Sequence, residues 1–257
     1  MKRKGLLSSL YIILILFLIY APMLIIIAYS FNASENNAIW TGFTLDWYRE
    51  LFSDTEILHA LIYSIQLALY STLVSVVIGT LAAVGMKKYM FRGKGVLNAL
   101  SYLPIMLPEI ILGVAFLMFF SILKLPFGML TLVISHVTFC IPFILILVRA
   151  RLFDLDSSIE EAARDLGASA PYAFLTVTLP LIAPAVLSGA LLSIAMSFDD
   201  VIISSFTMGM ETPLPIKIYS MLKLGMTPEI NALCAVTLVV IFLVVGLFQV
   251  SKFRRKN

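Results

Sequence analysis

From Leu6 to Phe31 the chain carries no charged side chain, and apolar runs of similar length recur toward its C-terminal end. A run of that length is long enough to cross a bilayer, and only lipid tolerates several such surfaces in one small protein. The composition agrees: 61% of residues are hydrophobic and 13% charged, where a soluble domain carries roughly twice that charged fraction. The expected fold is an all-α membrane protein, with residues 1–257 forming a single transmembrane domain. Cys140 and Cys234 both lie inside apolar runs, so they read as small buried thiols rather than a disulfide or metal framework.

Six spans are expected. The first covers about Leu6 to Phe31, too long for a cleaved signal. A polar segment follows, in which Leu45, Tyr48, Leu51 and Phe52 fall at helical spacing beside Trp40 and Trp47, the pattern of a short interfacial helix. The second span covers about His59 to Met86. The third, about Val96 to Leu123, contains Pro104 and Pro108, which an unbroken helix does not hold together. Two arrangements remain open: an interfacial helix followed by a span from Pro108, or one long kinked helix. The fourth span covers about Leu130 to Val148 and holds His136, expected to hydrogen-bond to a neighbouring helix. The fifth covers about Leu181 to Phe206. After an outer loop, Thr227-Pro228-Glu229 opens the sixth with a cap, a first-turn proline and an acid.

The basic residues sort across this scheme. Lys2 to Lys4, the Lys87–Lys94 connection, Arg149, Arg151 and Arg164, and the cluster from Lys252 to Lys256 share one side. Only Arg49, Lys124, Lys217 and Lys223 fall on the other. The positive-inside rule therefore puts both termini in the cytoplasm.

One polar stretch, 151–180, interrupts the apolar pattern on the cytoplasmic side. Ser158 and Glu161 have capping-box spacing, Gly167 suits a left-handed helix cap, and Pro171 suits the first turn of a second short helix. Leu179-Pro180 is expected to turn the chain back into the membrane. Glu161-Ala162-Ala163, then Gly167 after three residues, then Leu179-Pro180 at a fixed further spacing, resembles the EAA loop of binding-protein-dependent ABC transporter permeases. Val177 stands where that pattern has isoleucine. The resemblance implies the type I importer fold and a coupling helix docked on a cytoplasmic ATPase dimer through Glu160, Glu161, Ala162, Ala163, Arg164, Gly167, Leu179 and Pro180. It also implies a second homologous permease subunit, an external substrate-binding protein and a bacterial inner-membrane location. ATP and magnesium would sit on the partner ATPase, with no cofactor on this chain.

The segments Phe43–Tyr48, Leu107-Pro108-Glu109, Ser197–Ile202 and Leu214–Met221 resemble the polyamine branch of that family, which implies a spermidine or putrescine cargo. The residues themselves agree with a cationic cargo. Glu109, Asp199 and Asp200 lie in or near the hydrocarbon without a cation in the spans, and intramembrane acids ordinarily face a pathway or partner. Phe198 and Tyr219 complete the expected pathway set. The aspartates point about 100° apart on a helix. Asp200 lies closer to the continuation of the small-residue stripe Ala185, Gly189, Ser193 and Ser197, and Asp199 is rotated away from it. Another small solute (thiamine or a metal cation) is the alternative cargo, and a stand-alone secondary transporter the alternative class. No phosphate-binding loop, catalytic constellation, metal cluster or nucleic-acid motif is present in the sequence, so the chain is expected to be no enzyme.

Overall fold

A computed structural model describes residues 2–34, 39–156, 158–225 and 227–240. They form helices α1 (Lys2–Tyr29), α2 (Asp46–Ser53), α3 (Thr55–Lys88), α4 (Lys94–Met106), α5 (Glu109–Ile122), α6 (Met129–Phe153), α7 (Ser158–Asp165), α8 (Ala170–Ala173), α9 (Leu179–Asp199), α10 (Ile202–Thr207), α11 (Leu214–Leu224) and α12 (Pro228–Val240). A π-turn, Phe174–Thr178, joins α8 to α9. The all-helical expectation holds for the described residues, where an isolated bridge between Asn32 and Phe43 is the one extended pairing.

Four helical segments are long and apolar enough to cross a membrane: Ser8–Tyr29, Thr55–Lys88, Met129–Phe153 and Ala170–Asp199. The third expected span is two helices, α4 and α5, bent by 109°. The break falls at Leu107, which is extended (φ −84°, ψ 139°) because the ring of Pro108 disfavours helical geometry in the residue before it. With 14 residues, α5 is about 21 Å long, short of a roughly 30 Å hydrocarbon core. The sixth expected span is described as far as Val240. Its remainder and the basic cluster from Lys252 to Lys256 lie outside the described residues.

The fifth span differs from expectation at both ends. Leu179-Pro180 makes no turn: helix runs from Ala170 to Asp199, and the widened π-turn just before Pro180 accommodates a residue that has no N–H to donate. The helix then stops at Asp200 (ψ 121°) and restarts at Ile202. The loop expected after Thr207 also contains a helix, α11.

Contacts divide the chain into two units, Met1–Leu58 with Ile218–Asn257, and His59–Lys217. In the first, the chain after α1 folds over a polar knot at Asn32, which is fully buried. The Asn32 side chain donates to Ile39 O (2.8 Å) and accepts from Thr41 N–H (3.0 Å). The Trp47 indole donates to Asn32 O (2.7 Å). The Trp47 N–H is thus satisfied by protein, while Phe43 and Phe52 stay exposed.

In the second unit α6 is the central helix. Its Ile144 sits against Gly79 of α3 and Gly189 of α9; a β-carbon at Gly79 would lie 2.9 Å from the Ile144 side chain, and one at Gly189 3.2 Å from the Ile144 backbone. Small residues let helix backbones approach closely where burial of apolar surface from water gives no drive. Around that contact Ala83, Val84, Val148, Leu152 and Ile182 form a core cluster. On the other side of the unit α10 packs on α5 through Gly113, where a β-carbon would meet the Phe206 ring at 2.5 Å.

Candidate coupling loop and acidic cavity

The polar stretch folds as two short helices. Asp156 opens α7: its carboxylate accepts the Ser158 N–H (3.0 Å), and that bond holds the carboxyl below its ordinary pKa. Ser158 is therefore already helical, and the expected Ser158–Glu161 capping box gives way to a cap from Asp156. At the other end Gly167 has φ +92°. The Ala168 N–H bonds to Ala163 O and the Gly167 N–H to Arg164 O, the paired bonds of a Schellman motif. Ser169 then precedes α8, with Pro171 in its first turn.

No residue of α7 is buried. Glu161, Ala162 and Arg164 are exposed and Ala163 is half-buried. Leu166 is 91% exposed and, with Tyr172, Ala163 and Gly167, rims an open apolar hollow. Pro180 is exposed, while Leu179 is half-buried against the α6 core cluster. Glu160 behaves differently from its neighbours. One carboxylate oxygen pairs with the Lys88 ammonium, and the other accepts from the Thr178 hydroxyl (2.6 Å). Partial burial alone would raise the Glu160 pKa, but those two bonds and the Lys88 charge outweigh it and hold the carboxyl below its usual range.

At the other end of α9 the two aspartates part company. Asp200 turns inward, where its carboxylate accepts the N–H groups of Ile203 (3.2 Å) and Ser204 (2.7 Å) at the start of α10. It lies 3.5 Å from His136 Nε2, with both side chains essentially out of solvent. The ring of His136 also bridges Ser197 (2.7 Å) and Ser204 (2.9 Å). Hydroxyls can donate or accept, so they suit either ring tautomer. The expected bond from His136 to a neighbouring helix is thus present twice over, and Asp200 forms the joint between α9 and α10.

Asp199, one residue earlier, is exposed and lines a cavity of about 620 Å³, which Asp200 also borders. Glu109 lines the same cavity from the first turn of α5, with Phe139, Phe143 and Met196 among its apolar walls. No lysine, arginine or histidine is among the lining residues described. Phe198 is half-buried and is not among them. Tyr219 belongs to the other unit, where the Lys223 ammonium lies 4.5 Å from its ring.

Residues 75–255 match the family model described as "Binding-protein-dependent transport system inner membrane component". The chain is 37% identical over 240 residues to the spermidine/putrescine transport system permease protein PotC of Haemophilus influenzae, covering 93% of each chain. It is 39% identical to the putrescine transport system permease protein PotI of Escherichia coli, over 86% of this chain and 81% of that one. In fold it is similar to a crystallised bacterial ABC transporter involved in alginate import, with TM-score 0.76 and 16% identity over 98% of this chain and 96% of that one.

Proposed function

The chain belongs to the family of binding-protein-dependent transport system inner membrane components, and from that premise we propose that it forms half of the polyamine pathway of an ATP-driven importer. It is a multi-pass inner-membrane transport subunit with the fold of ABC importer permeases. In the proposed assembly six spans put both termini in the cytoplasm. A second permease subunit completes the pathway, a cytoplasmic ATPase dimer with ATP and magnesium drives it, and an external binding protein delivers spermidine or putrescine. The chain itself does no catalysis.

The observation that carries the cargo reading is the 620 Å³ cavity with Asp199 and Glu109 exposed to it beside the paired Asp200, and no basic residue among its described lining residues. A carboxylate at membrane depth costs about 2.5–3.5 kcal/mol even on the lenient insertion scale, so an unpartnered one is stable only beside water or a cation. Polyamines bring ammonium groups joined by methylene chains. Carboxylates match the ammonium groups, and the faces of Phe139 and Phe143 match both the methylenes and the cations. An anionic cargo would meet repulsion from the same wall. Relatives named for spermidine and putrescine transport support the reading.

The exposed α7 surface supports ATPase docking: Glu161 and Arg164 offer charged handles and Leu166 an apolar knob. Closure of the ATPase dimer would push α7 and rock the permease pair between its inward-open and outward-open forms. The test is polyamine-stimulated ATP hydrolysis by the assembled complex. Asp199→Asn should weaken stimulation while the complex stays intact, and unchanged stimulation would refute the cargo assignment.

A further inference from the structure

The helix expected to dock on the ATPase does not rest on the bundle by burial. None of its residues is buried, and it borders a cavity of about 560 Å³ whose lining includes Lys88, Ile159, Glu160, Arg164, Thr178 and Leu181. A short helix with a cavity along one side tilts when pushed unless something joins it to the membrane helices. Glu160 supplies that joint. Its carboxylate reaches Lys88, the last residue of α3, and Thr178, the last residue of the π-turn before α9. Thr178 is 6% exposed, so its hydroxyl is an anchor fixed in the packed part of the fold. Lys87, beside Lys88, donates to Leu152 O and to Leu155 O (3.1 Å) at the C-terminal end of α6. The ends of α3, α6 and α9 nearest the loop are thereby gathered at one point, and the Glu160 side chain ties α7 to that point in addition to the packing of α7 against α8 and the π-turn.

We propose that the Lys88–Glu160–Thr178 linkage is the transmission joint of the coupling loop, through which displacement of α7 moves α3 and α9 together. Glu160 is then a positioning residue facing its own chain, not a contact to the ATPase. The inference rests on the coupling reading of α7. It extends that reading because α9, moved at its Thr178 end, continues helically to Asp199 on the acidic cavity. A charge-assisted bond between partly shielded groups resists shear in a way that a solvated surface pair does not.

The experiment uses the full complex and reads two quantities: ATPase co-purified with the chain, and polyamine imported per ATP hydrolysed. Glu160→Gln, Lys88→Gln and Thr178→Val should each keep the ATPase bound. Glu160→Gln and Lys88→Gln should lower import per ATP by about tenfold, which corresponds to about 1.4 kcal/mol of lost coupling. The exchanged pair, Lys88→Glu with Glu160→Lys, should recover it, because an ammonium at position 160 can still donate to the Thr178 hydroxyl. Wild-type import per ATP in all three single variants would overturn the proposal. So would loss of the ATPase from Glu160→Gln, which would make Glu160 a docking contact. Retention of the ATPase after deletion of Ile159 to Leu166 would instead overturn the coupling reading beneath it.

Discussion

Asp199 and Asp200 are neighbours in sequence, yet replacing them is expected to break different things. In Asp200→Ala the N–H groups of Ile203 and Ser204 lose their acceptor, and His136 loses the carboxylate 3.5 Å from its ring. His136 and Ser204 are fully buried and Ile203 is 1% exposed, so these groups are left largely unpaired although Asp200 and Ile203 border the cavity. Each buried donor left unmade costs about 1–3 kcal/mol. Two of them with a stranded imidazole put the loss at roughly 3–5 kcal/mol, the range for breaking a buried pair. At about 2–4 °C per kcal/mol for a chain of this size, the melting midpoint falls by on the order of 10 °C. Asp199→Asn breaks no bond of that kind and should stay within about 0.5 kcal/mol of wild type. It removes a charge from the cavity instead. A hydrogen bond to a charged group contributes about 1.5–3 kcal/mol, so polyamine affinity should weaken roughly 10- to 150-fold. Thermal melts and titration calorimetry on the detergent-solubilised complex measure both. A wild-type melt for Asp200→Ala, or an early melt with unchanged affinity for Asp199→Asn, would refute the division of roles.

Gly167→Ala puts a β-carbon at φ +92°, a left-handed conformation costing a non-glycine residue about 1–2 kcal/mol. The end of α7 should fray, seen as faster amide exchange at Gly167 and Ala168, and import should fall. Gly113→Ala drives its β-carbon into the Phe206 ring and should cost about 1–3 kcal/mol. Phe206→Leu should recover part of that loss, and strict additivity of the two changes in thermal melts would contradict the α5–α10 contact.

The long membrane helices were legible because uncharged length speaks for itself: α1, α3 and α6 follow their apolar runs. Pro108 marked a break that the residue before a proline makes necessary. Gly167 marked a cap that only the left-handed region explains. Three features were not legible for a common reason, that a local pattern is silent about distant partners. Pro180 looked like a turn because a helix with a π-turn before a proline has the same local sequence. The break at Asp200 was hidden inside an apolar run, since what makes it is a side chain accepting the next helix's N–H groups and a histidine 64 residues away in sequence. The Glu160–Lys88 bond was hidden as well, because it spans 72 residues and leaves no periodic trace. The small-residue stripe of buried Gly189, Ser193 and Ser197 leads to Asp200, which is tied to α10 and His136, while Asp199 stays exposed on the cavity they share.

The most direct measurement is uptake of labelled spermidine and putrescine into proteoliposomes holding this chain with its proposed permease, ATPase and binding-protein partners. The account predicts uptake that requires ATP and every subunit, is abolished by deleting Ile159 to Leu166, and is weakened by Asp199→Asn. Uptake that proceeds without the ATPase, or that Asp199→Asn leaves at the wild-type rate at limiting polyamine, would contradict it.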